Sequence, residues 1–399
     1  MRNGQLGIGF LGLGSRGALF GTRTFLPLSG GALVAACDLN PAKIESAKVF
    51  FPDYTRTYTD IDAFLADPEL DVVLVATPDF AHADCAVKVL AAKKHLYLEK
   101  PMAQTIEDCD RIIKAWNGSD TVFMVGLELR YCTLMRDTKK LIEAGEIGRI
   151  ITGTVIDNVS VGGDYYYHGP RRKKEYIKSL ILEKGTHSLD LANWLIDSSP
   201  VKVYCSGGLD VFGGNESNDK HCADCDERNT CPYAKLSDPN EDPKRKAFRG
   251  FFDGCVYAQE CDVPDNSIVL IDYENGARLS YMECHFTPEY TREFMFIGTK
   301  GKLTAFFDNE QNFKIMVWKR HEKEPVYYYP ERVDDEGHGG GDVGIVSEFF
   351  RLIQEGKPGM YGIRGARDSA AIAIAAAESE VTGMPVNIPL VEYPPESHN

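Results

Sequence analysis

Through about residue 126 the chain alternates short apolar runs with amphipathic stretches. LGIGFLG, ALVAAC, DVVLVAT, HLYLEK and TVFMVG are separated by segments such as DFAHADCAVKVLAA, whose apolar positions recur at helical spacing. Short runs without alternation read as strands buried on both faces, and the segments between them as covering helices. The pattern predicts a doubly wound parallel sheet. After a further helix near Arg130 to Glu143 the period changes to two, in RIITGTVIDNV, SIVLIDYENGARLSYMECHF and TREFMFIGTKGKLTAFF. Alternation of that kind belongs to antiparallel strands with one covered face. Within the second of these, Asn275 and Gly276 mark a hairpin, since both tolerate the positive φ of a tight reversal. Two late helices are expected at VSEFFRLIQEG and ARDSAAIAIAAAESEV.

Directly after the first strand comes GLGSRG, comprising Gly12, Gly14, Ser15, Arg16 and Gly17. The glycines fit GxGxxG: the first for a tight turn, the second for close approach of backbone amides to a pyrophosphate, the third for packing of the helix on the strand. A second strand ends at Asp38, about 20 residues on, where a carboxylate accepts hydrogen bonds from adenosine ribose hydroxyls. Strand, motif, helix and acid in that order predict a Rossmann domain that binds NAD. NADP stays open, because Arg16 is available for a 2′-phosphate. The expected fold class is α/β, with a Rossmann sheet in residues 1–128. An α+β domain with an open, mainly antiparallel sheet follows in residues 129–399, carrying a cysteine-rich insertion at about 213–262.

Charge narrows the partners. With 44 basic and 59 acidic residues the net charge is -15, which argues against a surface built to neutralise nucleic acid or anionic lipid. Small molecules and further subunits are the expected partners. No apolar run approaches the roughly 20 residues that span a bilayer, and the N-terminus enters a strand pattern before a signal-like segment can form. A cytoplasmic protein is expected. An open antiparallel sheet leaves a large face to cover, so a homodimer or homotetramer is expected as well.

The segments VATPDFAH and YLEKP, with Thr77, Pro78, His82, Glu99, Lys100 and Pro101, and the later KSLILEKGTHSLDLANWL, resemble hallmark stretches of the Gfo/Idh/MocA family. The resemblance extends over nearly the whole chain. It implies a cofactor site that includes Thr77, Pro78, His82, Glu99 and Lys100, with Lys100 beside the nicotinamide and His187 approaching from the second domain. Many members carry aspartate four residues before that histidine, where this chain has Glu183. Lys184 follows, as in a subgroup with lysine three before the histidine. Glu183, Lys184 or both are therefore expected at the substrate. Together with VPDNSIVLIDYENGARL, the EKxxH pattern resembles members that oxidise glycosides at the sugar 3-hydroxyl.

Oxidation of a secondary alcohol requires the hydroxyl proton to leave as hydride moves to the nicotinamide. Histidine suits that transfer, and the Lys100 ammonium suits the developing oxyanion. Further candidates at the substrate are Arg130, which serves equally as a cap of the domain junction, Tyr166 and His168 in an aromatic loop, and His338 in DEGHGGGD, where Asp342 is the expected N-cap of the next helix. Two rivals remain. One is an NAD-dependent glycosidase or lyase working by transient oxidation and elimination, with Tyr166 or His168 as the added base. The other is a non-enzymatic dinucleotide sensor, against which Lys100 and His187 argue.

HCADCDERNTCPYA sets Cys222, Cys225 and Cys231 close together, with Cys255 in GCVYAQEC. Four thiolates suit a closed structural zinc site, weighed evenly against unmetallated thiols or a disulfide. The family's similar CxxC, CPY and CVY series favours Cys255 over Cys261 as fourth ligand, and His221 stands in reserve.

Overall fold

The computed structural model describes residues 4–236, 252–308, 312–332 and 337–391; residues 237–251 of the cysteine-rich insertion lie outside them. Among the described residues sixteen strands form two sheets. The first holds β1 (Gly7–Leu11), β2 (Ala32–Cys37), β3 (Arg56–Tyr58), β4 (Val72–Val75), β5 (His95–Leu98), β6 (Val122–Val125) and the late β15 (Gly359–Tyr361). Their order is β15-β6-β5-β4-β1-β2-β3, every pairing parallel. All residues of β1, β2, β4 and β6 are buried, as strands covered on both faces must be. The order reverses beside β1, and ligands of such sheets bind in the crevice outside the carboxyl ends of the strands there.

The sheet reaches beyond residues 1–128. Strand β15 joins its β6 edge, and helix Gly341–Gln354 packs against it through an aromatic cluster. Phe25 lies 4.9 Å from Phe350 and Tyr97 lies 5.5 Å from Phe349, centroid to centroid. The chain therefore leaves the first sheet, builds the second and returns.

The second sheet holds β7 (Ile150–Asn158), β8 (Pro200–Gly208), β9 (Asn266–Tyr273), β10 (Arg278–Cys284), β11 (Thr291–Gly298), β12 (Gly301–Asp308), β13 (Lys314–Lys319), β14 (Val326–Tyr328) and β16 (Val386–Asn387). Its order is β14-β13-β12-β11-β7-β10-β9-β8-β16. Only β7 and β10 run parallel, so the sheet is mainly antiparallel. In the β9–β10 hairpin Gly276 alone takes a positive φ, +82°, while the Asn275 side chain accepts from the Ala277 amide at 2.9 Å. Helices Thr186–Ile196 and Ile363–Thr382 pack together, the latter also against β8. Among the described residues no helix is long and apolar enough to cross a membrane.

The aromatic cluster holds the returning helix on the first sheet, and Phe349 is fully buried in it. Phe349→Ala is expected to lower the unfolding free energy by about 3–5 kcal/mol, read from urea denaturation; a loss below about 1 kcal/mol would show that this helix is not part of the cooperative core.

Candidate functional site

Four strand ends place the site. Gly12 follows β1 with φ +87°, and a Cβ there would press on the Ala76–Thr77 backbone after β4. A Cβ on Gly17 would collide with the Gly12 carbonyl oxygen, so the helix Ser15–Phe25, wound as a π-helix, packs on the turn only with glycine at that position. Gly14 faces open space, which leaves its backbone accessible. Asp38, at the end of β2, accepts from the Leu13 amide at 2.8 Å and the Asn40 amide at 2.9 Å. These residues form the cradle expected for a dinucleotide: a glycine turn at a helix start, braced by a carboxylate.

The Arg16 guanidinium is engaged within the protein. Its guanidinium donates from Nε to Glu99 and from Nη2 to Asp342, each at 2.9 Å, and lies 3.8 Å above the Phe20 ring. Burial works against its charge, but the Glu99 and Asp342 carboxylates hold its pKa well above the usual value. His82 is buried with Nδ1 2.7 Å from the Pro101 carbonyl and Nε2 2.9 Å from the Thr77 carbonyl. Both ring nitrogens thus face backbone and fasten the loop after β4 to the loop after β5, which positions Lys100.

Lys100 reaches across to the second domain and donates to the Glu183 carbonyl at 2.6 Å. Glu183 and Lys184 sit on a π-turn, Ile181–Gly185, that leads into helix Thr186–Ile196 with His187 in its first turn; such widened turns recur at functional sites. His187 is 5% exposed. Burial, then the charges of Lys100, His338 and Lys184, keep its pKa well below the ordinary imidazole value, so the ring is neutral at pH 7. Burial also opposes the charge on Lys184, yet Tyr290 and Asp157 raise its pKa above the ordinary value.

Glu183 accepts from Arg171 at 2.7 Å and faces Asp79. Burial pushes the Asp79 carboxyl well above the usual carboxylate range, and Glu183 adds to that shift. Burial opposes ionisation of Glu183 too, but Lys100 and Arg171 bring its pKa below the usual value. One carboxyl of the pair keeps its proton and the other is ionised, as close carboxylates require.

Other expectations are narrowed or corrected. Arg130 donates twice to Asp190, at 2.8 and 2.6 Å, a pairing that braces the domain junction, one of the two roles expected of it. Tyr166 is buried edge-on to His285 at 5.3 Å, and burial lifts its phenol pKa well above the usual value, which removes it as a base. His168 is buried with Nδ1 donating to the Gly254 carbonyl at 2.8 Å and Nε2 3.9 Å from Asp164, so it anchors the insertion. Asp342 lies inside its helix, where Gly340 is the N-cap. Cys222, Cys225, Cys231 and Cys255 line one pocket with His221. Among the described residues the one group of metal-ligating atoms gathered within 4.8 Å is Glu128, His187 and His338; no three of the thiol sulfurs lie that close to one another.

A buried polar cluster on the second sheet was not among the residues expected from sequence. Asp157 on β7 accepts from Ser188 at 2.7 Å, from Tyr281 at 3.0 Å, and pairs with Arg292 at 3.1 Å. Each strand carried the signal: Asp157 is in phase with buried Val155, Glu283 with Leu279 and Tyr281, and Arg292 with Phe294 and Phe296.

Residues 6–127 match the model of the oxidoreductase family with an NAD-binding Rossmann fold, and residues 135–304 match the GFO/IDH/MocA C-terminal domain. The chain belongs to the Gfo/Idh/MocA oxidoreductase family. It is 26% identical over 385 residues to the Bacillus subtilis (strain 168) protein YteT, covering 86% of each chain. It is 32% identical over 201 residues to the inositol 2-dehydrogenase of Salmonella typhimurium, covering 49% of this chain and 56% of that protein. The fold is that of levoglucosan dehydrogenase, solved with NADH and levoglucosan, at TM-score 0.72 and 22% identity over 96% of this chain and 100% of the other. This Gfo/Idh/MocA protein is thus a family oxidoreductase with an NAD-binding Rossmann domain.

The carboxyl pair yields a test that needs no substrate. Above about pH 4 the unfolded chain releases the Asp79 proton while the folded chain keeps it, so stability falls as pH rises through that window. Asp79→Asn removes the loss, and its urea midpoint relative to the parent is expected to rise between pH 4 and pH 7; a constant difference would mean that Asp79 is ionised in the fold.

Proposed function

We propose that this protein is an NAD-dependent dehydrogenase that transfers hydride between nicotinamide and the secondary carbinol of a sugar, glycoside or cyclitol. The observation that carries this reading is the meeting of Lys100, from the carboxyl edge of the parallel sheet, with the Glu183–His187 segment: it donates to the Glu183 carbonyl and its charge acts on His187. The names of relatives, inositol 2-dehydrogenase and levoglucosan dehydrogenase, support the substrate class.

What the dinucleotide supplies when bound is a hydride acceptor at carbon 4 of its nicotinamide ring. The Gly12–Gly17 turn offers amides to its phosphates, and the Asp38 carboxylate suits ribose hydroxyls and repels a 2′-phosphate, which with Arg16 already engaged favours NAD over NADP. Lys100 orients the reacting hydroxyl and stabilises negative charge on its oxygen. Neutral His187 takes the hydroxyl proton. Lys184, Glu183 and Arg171 address the remaining hydroxyls, the sugar 3-hydroxyl being the narrower assignment for the carbon oxidised.

The purified protein should be mixed with NAD or NADP and a panel of monosaccharides, glycosides and inositols, recording NADH absorbance and product mass together. The expected result is a keto product with NADH, faster with NAD. Lys100→Ala and His187→Ala should each lose about 10²–10⁴-fold while still binding NAD in calorimetry. Glycoside cleavage without net NADH would replace this reading by oxidation and elimination. A silent panel with NAD bound would overturn it in favour of a sensor.

The same reading includes a homo-oligomer. Tyr204, Ile268, Leu270, Ile297 and Trp318 are exposed on the second sheet, an apolar face of the kind that marks subunit contacts. Light scattering should give a dimer or tetramer mass, reduced by the pair Ile268→Lys and Leu270→Lys; a monomeric parent would refute this.

A further inference from the structure

At the junction between the two sheets, Glu128, His187 and His338 bring one ligand atom each within 4.8 Å of one another. Glu128 Oε1 is 3.5 Å from His187 Nδ1 and 3.3 Å from His338 Nε2. Ligand atoms held about 2.0–2.2 Å from a tetrahedral zinc ion stand about 3.3–3.6 Å apart. Both measured separations fall in that range. His187 Nδ1, one of the two nitrogens facing Glu128 Oε1, has no hydrogen-bond partner, although His187 is 5% exposed. An unpaired polar atom at such burial is costly, and a bound ion is one of the few ways to satisfy it.

The surroundings repeat the layout of metal sites. A metal-bound histidine usually donates its other ring N–H to a carboxylate that fixes tautomer and orientation. His338 Nδ1 lies 2.9 Å from Asp342 Oδ2, and Arg16 holds the other Asp342 oxygen at 2.9 Å. Nε2 of His338 is thereby turned toward Glu128. The His338 backbone has φ +62°, a conformation disfavoured for a non-glycine residue and found where the side chain has to be aimed.

We propose that Glu128, His187 and His338 form a site for a divalent transition-metal ion, zinc in the first instance. Two imidazoles and one carboxylate make a three-ligand set that leaves a position open. Resting on the dehydrogenase reading, the ligand it would take is an oxygen of the carbohydrate or cyclitol substrate. Occupancy also changes the part of His187: with the Nδ1 lone pair on the ion, the neutral ring carries its proton on Nε2 and does not accept another. Metal-bound protein and His187 as base are therefore separable.

The test uses the full chain, stripped with chelator and titrated with Co²⁺ as the probe. Cobalt bound to the cysteine pocket shows intense thiolate charge transfer in the near ultraviolet, whereas the nitrogen and oxygen set shows only visible d–d bands. The expected result is one equivalent of Co²⁺ with d–d bands and no charge transfer, displaced by Zn²⁺. It should be absent in His338→Ala and Glu128→Gln, with circular dichroism unchanged in both, and 10- to 100-fold weaker in Asp342→Asn. A parent without this equivalent, or variants that retain it, overturns the site and leaves a protonated His338 bridging Glu128 and Asp342. The titration is read without substrate, so it fails or succeeds independently of the panel assay. In that assay, turnover that survives chelation would assign the proton to His187, and turnover restored by Zn²⁺ would place the ion at the substrate.

Discussion

The structure depends most on one guanidinium. Arg16 leaves the glycine turn after β1, reaches Glu99 at the end of β5 and Asp342 in the returning helix, and lies against Phe20. Three segments far apart in the chain are joined there with charge-assisted hydrogen bonds, which are stronger than neutral ones and fix direction as well as distance. Asp342 in turn orients His338, and His338 faces Glu128 and His187. The geometry beside the cofactor cradle thus follows from a pairing made outside it.

Around this junction each buried charge has an opposite within reach. Glu183 has Arg171 and Lys100, Asp190 has Arg130, and Asp157 has Arg292, Tyr281 and Ser188. Such pairs add little net stability once desolvation is counted, while removal of one member leaves an exposed cost of several kcal/mol. Their worth lies in positioning: the paired charges hold Lys100, Lys184 and His187 in defined places. The neutral state of His187 follows from the same arrangement, because burial and the charges of Lys100, His338, Lys184 and Arg16 disfavour its imidazolium.

Part of this was legible in the chain. The wholly apolar runs located the strands of the first sheet through β6, the change to period two located the second sheet, and GLGSRG with Asp38 located the cradle. Glu99, Lys100 and His187 came from short motifs whose spacing carried over into the fold. Arg16, Tyr166 and His168 did not behave as read, each for a similar reason: a side chain adjacent in sequence to a site was engaged by a partner far along the chain, or was packed inside the insertion. Asp79, Arg171 and the cluster of Asp157, Glu283 and Arg292 went unread, although the last three stood in phase with apolar positions.

By itself the sequence determined the two kinds of sheet, the glycine turn and the family chemistry, because hydrophobic period, glycine spacing and local motifs are properties of neighbours along the chain. Tertiary structure alone decided which charges pair, that Gly359–Tyr361 returns to the first sheet, and that Glu128, His187 and His338 converge. Those outcomes turn on distances between residues tens to hundreds of positions apart, and on the loss of water around them. A linear pattern specifies neither until the chain has folded.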